Sequence, residues 1–75
     1  MENSKQKYAL TKRQRDVYDF IKAYIDEHNQ PPNFDEIMDA VDLKSKSGVH
    51  RLVHGLRERN WIDFLDNRAR SITIL

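Results

Sequence analysis

The sequence predicts an α+β domain, mainly α, in which three helices are followed by a two-stranded C-terminal hairpin. Three observations carry this. Apolar residues recur at helical spacing in three separate segments, each opened by a residue that caps helices. Pro31-Pro32 and the tight turn Asp42-Leu43-Lys44 separate those segments. After Asn60 the period changes and two short β-rich runs follow. The 75 residues hold one small core and leave no room for a second domain.

Residues 1–9 are polar, without cap or period, and read as a flexible N-terminal arm; the domain proper spans 10–75. Thr11 and Gln14 form a capping-box pattern that opens the first helix. Val17, Phe20, Ile21, Tyr24 and Ile25 make its apolar stripe, which leaves Tyr8 and Tyr18 off it, either incidental or part of a contact with a partner. His28-Asn29-Gln30 end the helix before the prolines. Asn33 caps a second helix of eight or nine residues, with Asp35 and Glu36 in its first turn, where the helix dipole favours acids. Phe34, Ile37, Met38 and Val41 are its buried side, and Leu43 plugs the core at the turn. Ser45 caps a third helix with the stripe Val49, Leu52, Val53 and Leu56, and Asn60 is its left-handed stop. Trp61–Leu65 and Ser71–Leu75 form the hairpin around Asp66–Arg70, with Ala69 in place of a turn glycine.

Composition narrows the function classes. Cysteine is absent, so there is no disulfide framework and no thiolate metal site, which fits a cytoplasmic protein. No apolar run approaches the length that spans a bilayer, the N-terminus opens no secretory signal, and no membrane partner is expected. The net charge is only +1, so binding to nucleic acid requires charge gathered on one face. It is gathered. Residues 31–42 carry four acids and no base, whereas residues 43–60 carry five bases, one acid and two histidines.

Three helices, a short turn between the second and third, and a closing hairpin make a winged helix-turn-helix. The second helix lies across the third and leaves one polar face of the third clear of the core. The hairpin holds its tip beside that face. Such a face suits the major groove of double-stranded DNA, which takes short donors near the helix start and longer cations further along. Ser45 and Ser47 can bond base edges or phosphate, Gly48 permits close backbone approach, and Arg51 can bond guanine through two parallel contacts. His50 and His54 can donate to guanine or phosphate, and Lys44 and Lys46 stand where the helix meets the backbone. Arg68 and Arg70 at the hairpin tip suit phosphates or the adjacent minor groove. An ordinary solvated helix face is the bland alternative, and the fold together with the Arg-bearing hairpin weighs against it.

Other chemistry fares worse. His50, His54 and Glu58 lie four residues apart, but Arg51 stands where a metalloprotease helix carries its glutamate, and a cation there opposes metal capture. No metal and no cofactor are expected. Ser45 beside Lys44 or Lys46 is a helix cap with phosphate lysines, at an exposed helix start without a pocket, so no catalytic residue and no enzyme are expected. Trp61, Phe64, Phe34, Phe20 and Tyr24 have the spacing of core aromatics rather than a single-strand stacking platform.

Leu10-Thr11-Lys12-Arg13-Gln14, Pro31-Pro32-Asn33-Phe34-Asp35-Glu36-Ile37, Ser45-Lys46-Ser47-Gly48-Val49-His50-Arg51-Leu52 and Asn67-Arg68-Ala69-Arg70 together resemble the N-terminal DNA-binding domain of the LexA repressors. The resemblance runs from Leu10 to Leu75. It implies base reading by Ser45, Ser47, Gly48, His50 and Arg51, and a wing around Asn67, Arg68 and Arg70 on the DNA backbone. Better-known members carry an Asn and two Glu on the reading helix, so their operators are not transferred to this face. LexA proteins are longer and carry a self-cleaving serine–lysine peptidase domain that also dimerises; no counterpart follows Leu75. The start at Met1 points to a stand-alone relative, as on a mobile element, with an excised domain as the alternative.

The expectation is a sequence-specific repressor of transcription at SOS-type operators, in the bacterial cytoplasm or a phage-infected cell. It would work as a second copy on adjacent half-sites or through a dimerising protein partner. A winged helix that docks onto another regulator is the competing reading.

Overall fold

The structure is a computed structural model and describes residues 6–75. Helix α1 is Lys12–His28, α2 is Phe34–Ala40 and α3 is Lys46–Glu58. Strands β1 (Ile62–Asp63) and β2 (Thr73–Ile74) pair antiparallel, with Ile62 opposite Ile74 and Asp63 opposite Thr73. The winged helix-turn-helix expected from the sequence is the fold observed.

The helix starts are set by the expected caps. Gln14 N–H donates to Thr11 Oγ1 at 3.2 Å, and Thr11 N–H donates to Gln14 Oε1 at 2.9 Å. Asn33 and Glu36 repeat this reciprocal pair at 2.8 Å in both directions. Gly48 N–H donates to Ser45 Oγ at 3.3 Å and starts α3. Asn29 and Asn60 take left-handed backbone, φ 58° and 68°, and turn the chain out of α1 and α3. Helix α2 has seven residues, fewer than expected, because Asp42 adopts φ 55° and Leu43 N–H bonds back to the Met38 carbonyl.

The three stripes converge on one core. Val17 and Ile21 of α1, Ile37 of α2, and Val49, Val53 and Leu56 of α3 are completely buried, with Ile62 of β1 closing the end. Tyr18 corrects the sequence reading. It is buried rather than free for a partner, and its ring meets Trp61 edge-on at 5.1 Å. The position is one step round from Val17, so it falls under the C-terminal hairpin, which the helix stripe alone does not reveal.

The described part of the expected arm bonds back to the domain. Trp61 Nε1–H donates to the Tyr8 carbonyl at 2.6 Å, Tyr8 N–H to the Arg59 carbonyl at 3.1 Å, and Asn60 Nδ2–H to the Gln6 carbonyl at 2.7 Å. Residues 6–8 are thus tied to the end of α3; the remainder of the expected arm, 1–5, lies outside the described residues.

The strands are shorter than the β-rich runs because side chains replace the ladder. Phe64 N–H donates to Asp63 Oδ1 at 2.8 Å, and Leu65 N–H to Ser71 Oγ at 2.9 Å. Ser71 Oγ–H returns a bond to the Leu65 carbonyl at 3.1 Å. The loop beyond, 66–70, is the wing, and Asn67 supplies a left-handed turn at φ 62° without glycine.

Candidate nucleic-acid interface

Helix α2 packs against α3 and leaves the start and outer surface of α3 open. Lys44, Ser45, Lys46, Ser47, His50 and Arg51 are exposed there, with Gly48 and His54 half-buried. Asn67 and Arg68 are exposed on the wing. Lys46 and His50 face Asn67 and Arg68 across an open cleft of about 510 Å³ floored by Phe34 and Phe64. Lys44, Ser45, Ser47 and Arg51 do not line the cleft and sit on the outer surface of α3 and its approach. Among the described residues, no acid pairs with Arg51, Lys44 or Arg68.

Several of these groups have partners that shape what they can do. Ser45 Oγ caps the helix and lies 3.1 Å from Ser47 Oγ, so the two hydroxyls form a short relay at the helix start. Lys46 Nζ is 3.2 Å from Asp35 Oδ1 in a well-exposed pair, which a phosphate can displace at little cost.

The two histidines are held by aromatic packing. His50 meets Phe34 edge-on at 4.8 Å and stacks on His54 at 5.7 Å, and His54 meets Phe64 edge-on at 5.1 Å. Arg57 lies over Phe64 at 4.1 Å, donates to its carbonyl at 3.3 Å, and reaches His54 Nδ1 at 3.3 Å. A guanidinium only donates, so Nδ1 must accept. That places the proton of the neutral ring on Nε2, where it is a donor for phosphate. Phe34, Phe64 and Arg57 were legible only as core or flanking residues. Their role in fixing two candidate DNA contacts depends on the third dimension.

Arg70 differs from the other wing residues. Expected on the DNA backbone, it turns into the protein instead. Its Nη2 donates to Glu36 Oε2 at 2.9 Å, and its Nη1 to Tyr24 Oη and the Pro31 carbonyl, both at 3.1 Å. The wing's exposed cation is therefore Arg68. Nothing in the linear sequence flags this. In the sequence Glu36 is a first-turn acid of α2, and only one of its oxygens serves the Asn33 cap.

The Arg70 hydrogen bond holds the Glu36 carboxyl down at about 2, aided by the Asn33 N–H and Tyr24 hydroxyl and opposed by desolvation. The same bond raises Arg70. Both side chains remain one-third exposed, so water screens the pair. The folded value lies below the ordinary 4.5, so the stability from Glu36 is fully present above that pH. It is lost as pH falls from 4.5 towards 2. Glu36→Gln keeps an oxygen for the Asn33 cap but cannot pair with Arg70. Thermal melts from pH 6 downwards should show the wild type more stable at the top of the range and the two chains converging in acid. Parallel profiles would contradict the assignment.

With this geometry in place, the comparison with known proteins is direct. Residues 7–71 match the family described as the LexA DNA binding domain. The chain belongs to that family. It is 52% identical over 66 residues to the LexA repressor of one strain of Cereibacter sphaeroides, and 50% identical over 66 residues to that of another. In both cases the match covers 88% of this chain and 29% of the relative, so the chain spans under a third of those LexA proteins. The matched LexA segment includes all three helices and the wing loop.

Proposed function

We propose that the chain is a sequence-specific binder of double-stranded DNA that represses transcription at SOS-type operators from the bacterial cytoplasm. In this reading Ser45, Ser47, Gly48, His50 and Arg51 read base edges. Lys44, Lys46, His54, Asn67 and Arg68 hold the backbone. The observation that carries the reading is the exposed, basic start of α3 set beside a wing cation in a LexA-family fold. Gel shift with genomic fragments, followed by sequencing of the bound pool, tests it. A shared motif is expected; absence of enrichment at low salt would favour a module that docks onto another protein.

Gly48 supplies a sharper test. A Cβ built there meets Ser45 Oγ at 3.7 Å and the two Leu43 methyls at 3.8 and 4.0 Å, ordinary contacts, and its φ is not positive. The protein itself therefore has room for alanine, which is the better helix former by up to about 1 kcal/mol. A glycine at that position fits close approach of the helix to a DNA groove. Gly48→Ala is expected to raise the melting temperature while weakening binding to the enriched duplex. Unchanged or tighter binding would remove Gly48 from the interface.

A module of this size buries only roughly 600–1,000 Å² on DNA, so one copy discriminates with few base contacts. Two copies on adjacent half-sites would multiply that discrimination. All three helix stripes and Tyr18 are spent on the core, so pairing is expected on DNA rather than in free solution. Sedimentation at micromolar concentration should give a monomer, and two-half-site duplexes should bind more tightly than single ones. A stable free dimer would refute this.

A further inference from the structure

We propose that Arg70 fixes the position of the wing relative to α3 and so governs DNA binding without touching DNA. The inference rests on the DNA-binding reading above and adds a positioning residue to it.

Arg70 stands at the base of the wing in left-handed backbone, φ 53°, which side chains other than glycine seldom adopt. Such a conformation persists only where its surroundings determine it. Here they do. The guanidinium bonds three separate parts of the fold: Tyr24 of α1, Pro31 in the connection between α1 and α2, and Glu36 of α2. Tyr24 Oη–H donates in turn to Glu36 Oε2 at 3.0 Å, so the phenol accepts from Arg70 and passes a bond to the same carboxylate.

The Glu36 carboxylate has a divided task. Its Oε1 accepts the Asn33 N–H that starts α2, and its Oε2 holds Arg70 and Tyr24. Helix α2 is the element packed across α3. The wing is thereby referenced to the helix that sets the angle of the reading face. Other restraint on the wing is a pairing of two residues on each strand, the Ser71–Leu65 bonds, and a long ion pair of 3.8 Å between Arg57 of α3 and the exposed Asp66. Asn67 and Arg68 lie three and two residues from the anchor, within the free part of the loop. Releasing Arg70 would let both move relative to Lys46 and His50 across the cleft. An arginine with its donors already placed on a carboxylate, a phenol and a carbonyl is also poorly available to phosphate.

The test compares wild type, Arg68→Ala, Arg70→Ala, Tyr24→Phe and the double variant Arg68→Ala with Arg70→Ala. Each is titrated on one duplex from the enriched pool across a salt series, at a temperature where circular dichroism shows it folded. Arg68→Ala should reduce the salt slope by about one unit. Arg70→Ala should weaken binding severalfold, and add little, with no further loss of salt slope, once Arg68 is gone, because it acts through the wing contacts of which Arg68 is the charged one. Tyr24→Phe, remote from the wing surface, should weaken binding in the same direction without unfolding the domain. Additive losses, with a further unit of slope lost, would mean that Arg70 itself meets phosphate and would overturn the proposal.

Amide relaxation of the free chain separates this inference from the DNA reading. Arg70→Ala and Tyr24→Phe should raise the nanosecond mobility of residues 66–70 and leave 46–58 unchanged. A wing as rigid as in the wild type would overturn the proposal, whatever the DNA result. A loosened wing on a chain that binds no duplex would support the anchor and remove the DNA reading.

Discussion

Gly55→Val is expected to lower the stability of the domain by about 2–4 kcal/mol, the sum of overpacking and a damaged helix cap. Gly55 is buried in the last turns of α3, against the start of α1. A Cβ there would stand 2.6 Å from Gln14 Nε2 and 3.4 Å from an Arg59 guanidinium nitrogen. The amide of a surface glutamine would swing aside. Gln14 is only 7% exposed, however, and its Oε1 holds the Thr11 N–H in the α1 capping box. Moving it away breaks that box. The better helix propensity of the substituent offsets a few tenths of a kcal/mol for valine and about 1 kcal/mol for alanine. Gly55→Ala is therefore the milder variant. A domain of this size has only about 4–11 kcal/mol in total, so the valine variant should lose a large share of its urea midpoint. Removing the glutamine amide by Gln14→Ala should rescue part of the loss, because the two sites share one contact. An unchanged midpoint for Gly55→Val would show that Gln14 is not held where it is described.

The second large effect is on recognition. Arg51→Ala should cost about 1–3 kcal/mol on the preferred duplex and relax the choice at one base position. Arg51 is exposed one turn and a half into α3, beyond the Ser45–Ser47 start and beside His50. Among the described residues it pairs with no acid, unlike Lys46, whose ammonium is shared with Asp35. An arginine without an internal partner keeps both parallel donors for a guanine edge, and losing them costs most on the sequence that offers that edge. Competition titrations against random duplex read the difference. Equal losses on both would mean that Arg51 meets only phosphate.

What was legible in the sequence follows local physics. Caps at Thr11, Asn33 and Ser45 are short-range events, encoded within four residues, and each is where the sequence places it. The helix stripes converge because each segment has only one face to bury. The left-handed stop at Asn60 was legible for the same reason. What the sequence hid depends on residues far apart in the chain. Tyr18 is covered by Trp61, 43 positions later, and no helix period reports a cover supplied by another element. Arg70 finds Glu36 and Tyr24 34 and 46 positions away, and so leaves the candidate DNA contacts despite its place in the wing. Gly55 looks like a weak point inside a helix until Gln14 is seen against it. The exposed start of α3 was legible because it is what the apolar stripe leaves over.

The most direct test of the proposed interface is an amide chemical-shift titration of the free chain with a duplex from the enriched pool. The expected shifts fall on residues 44–51, His54 and 66–68, with the exposed face of α1 around Asp19 and Asp26 unmoved. Shifts centred on that face of α1, or no shifts at low salt, would contradict a DNA interface made by α3 and the wing.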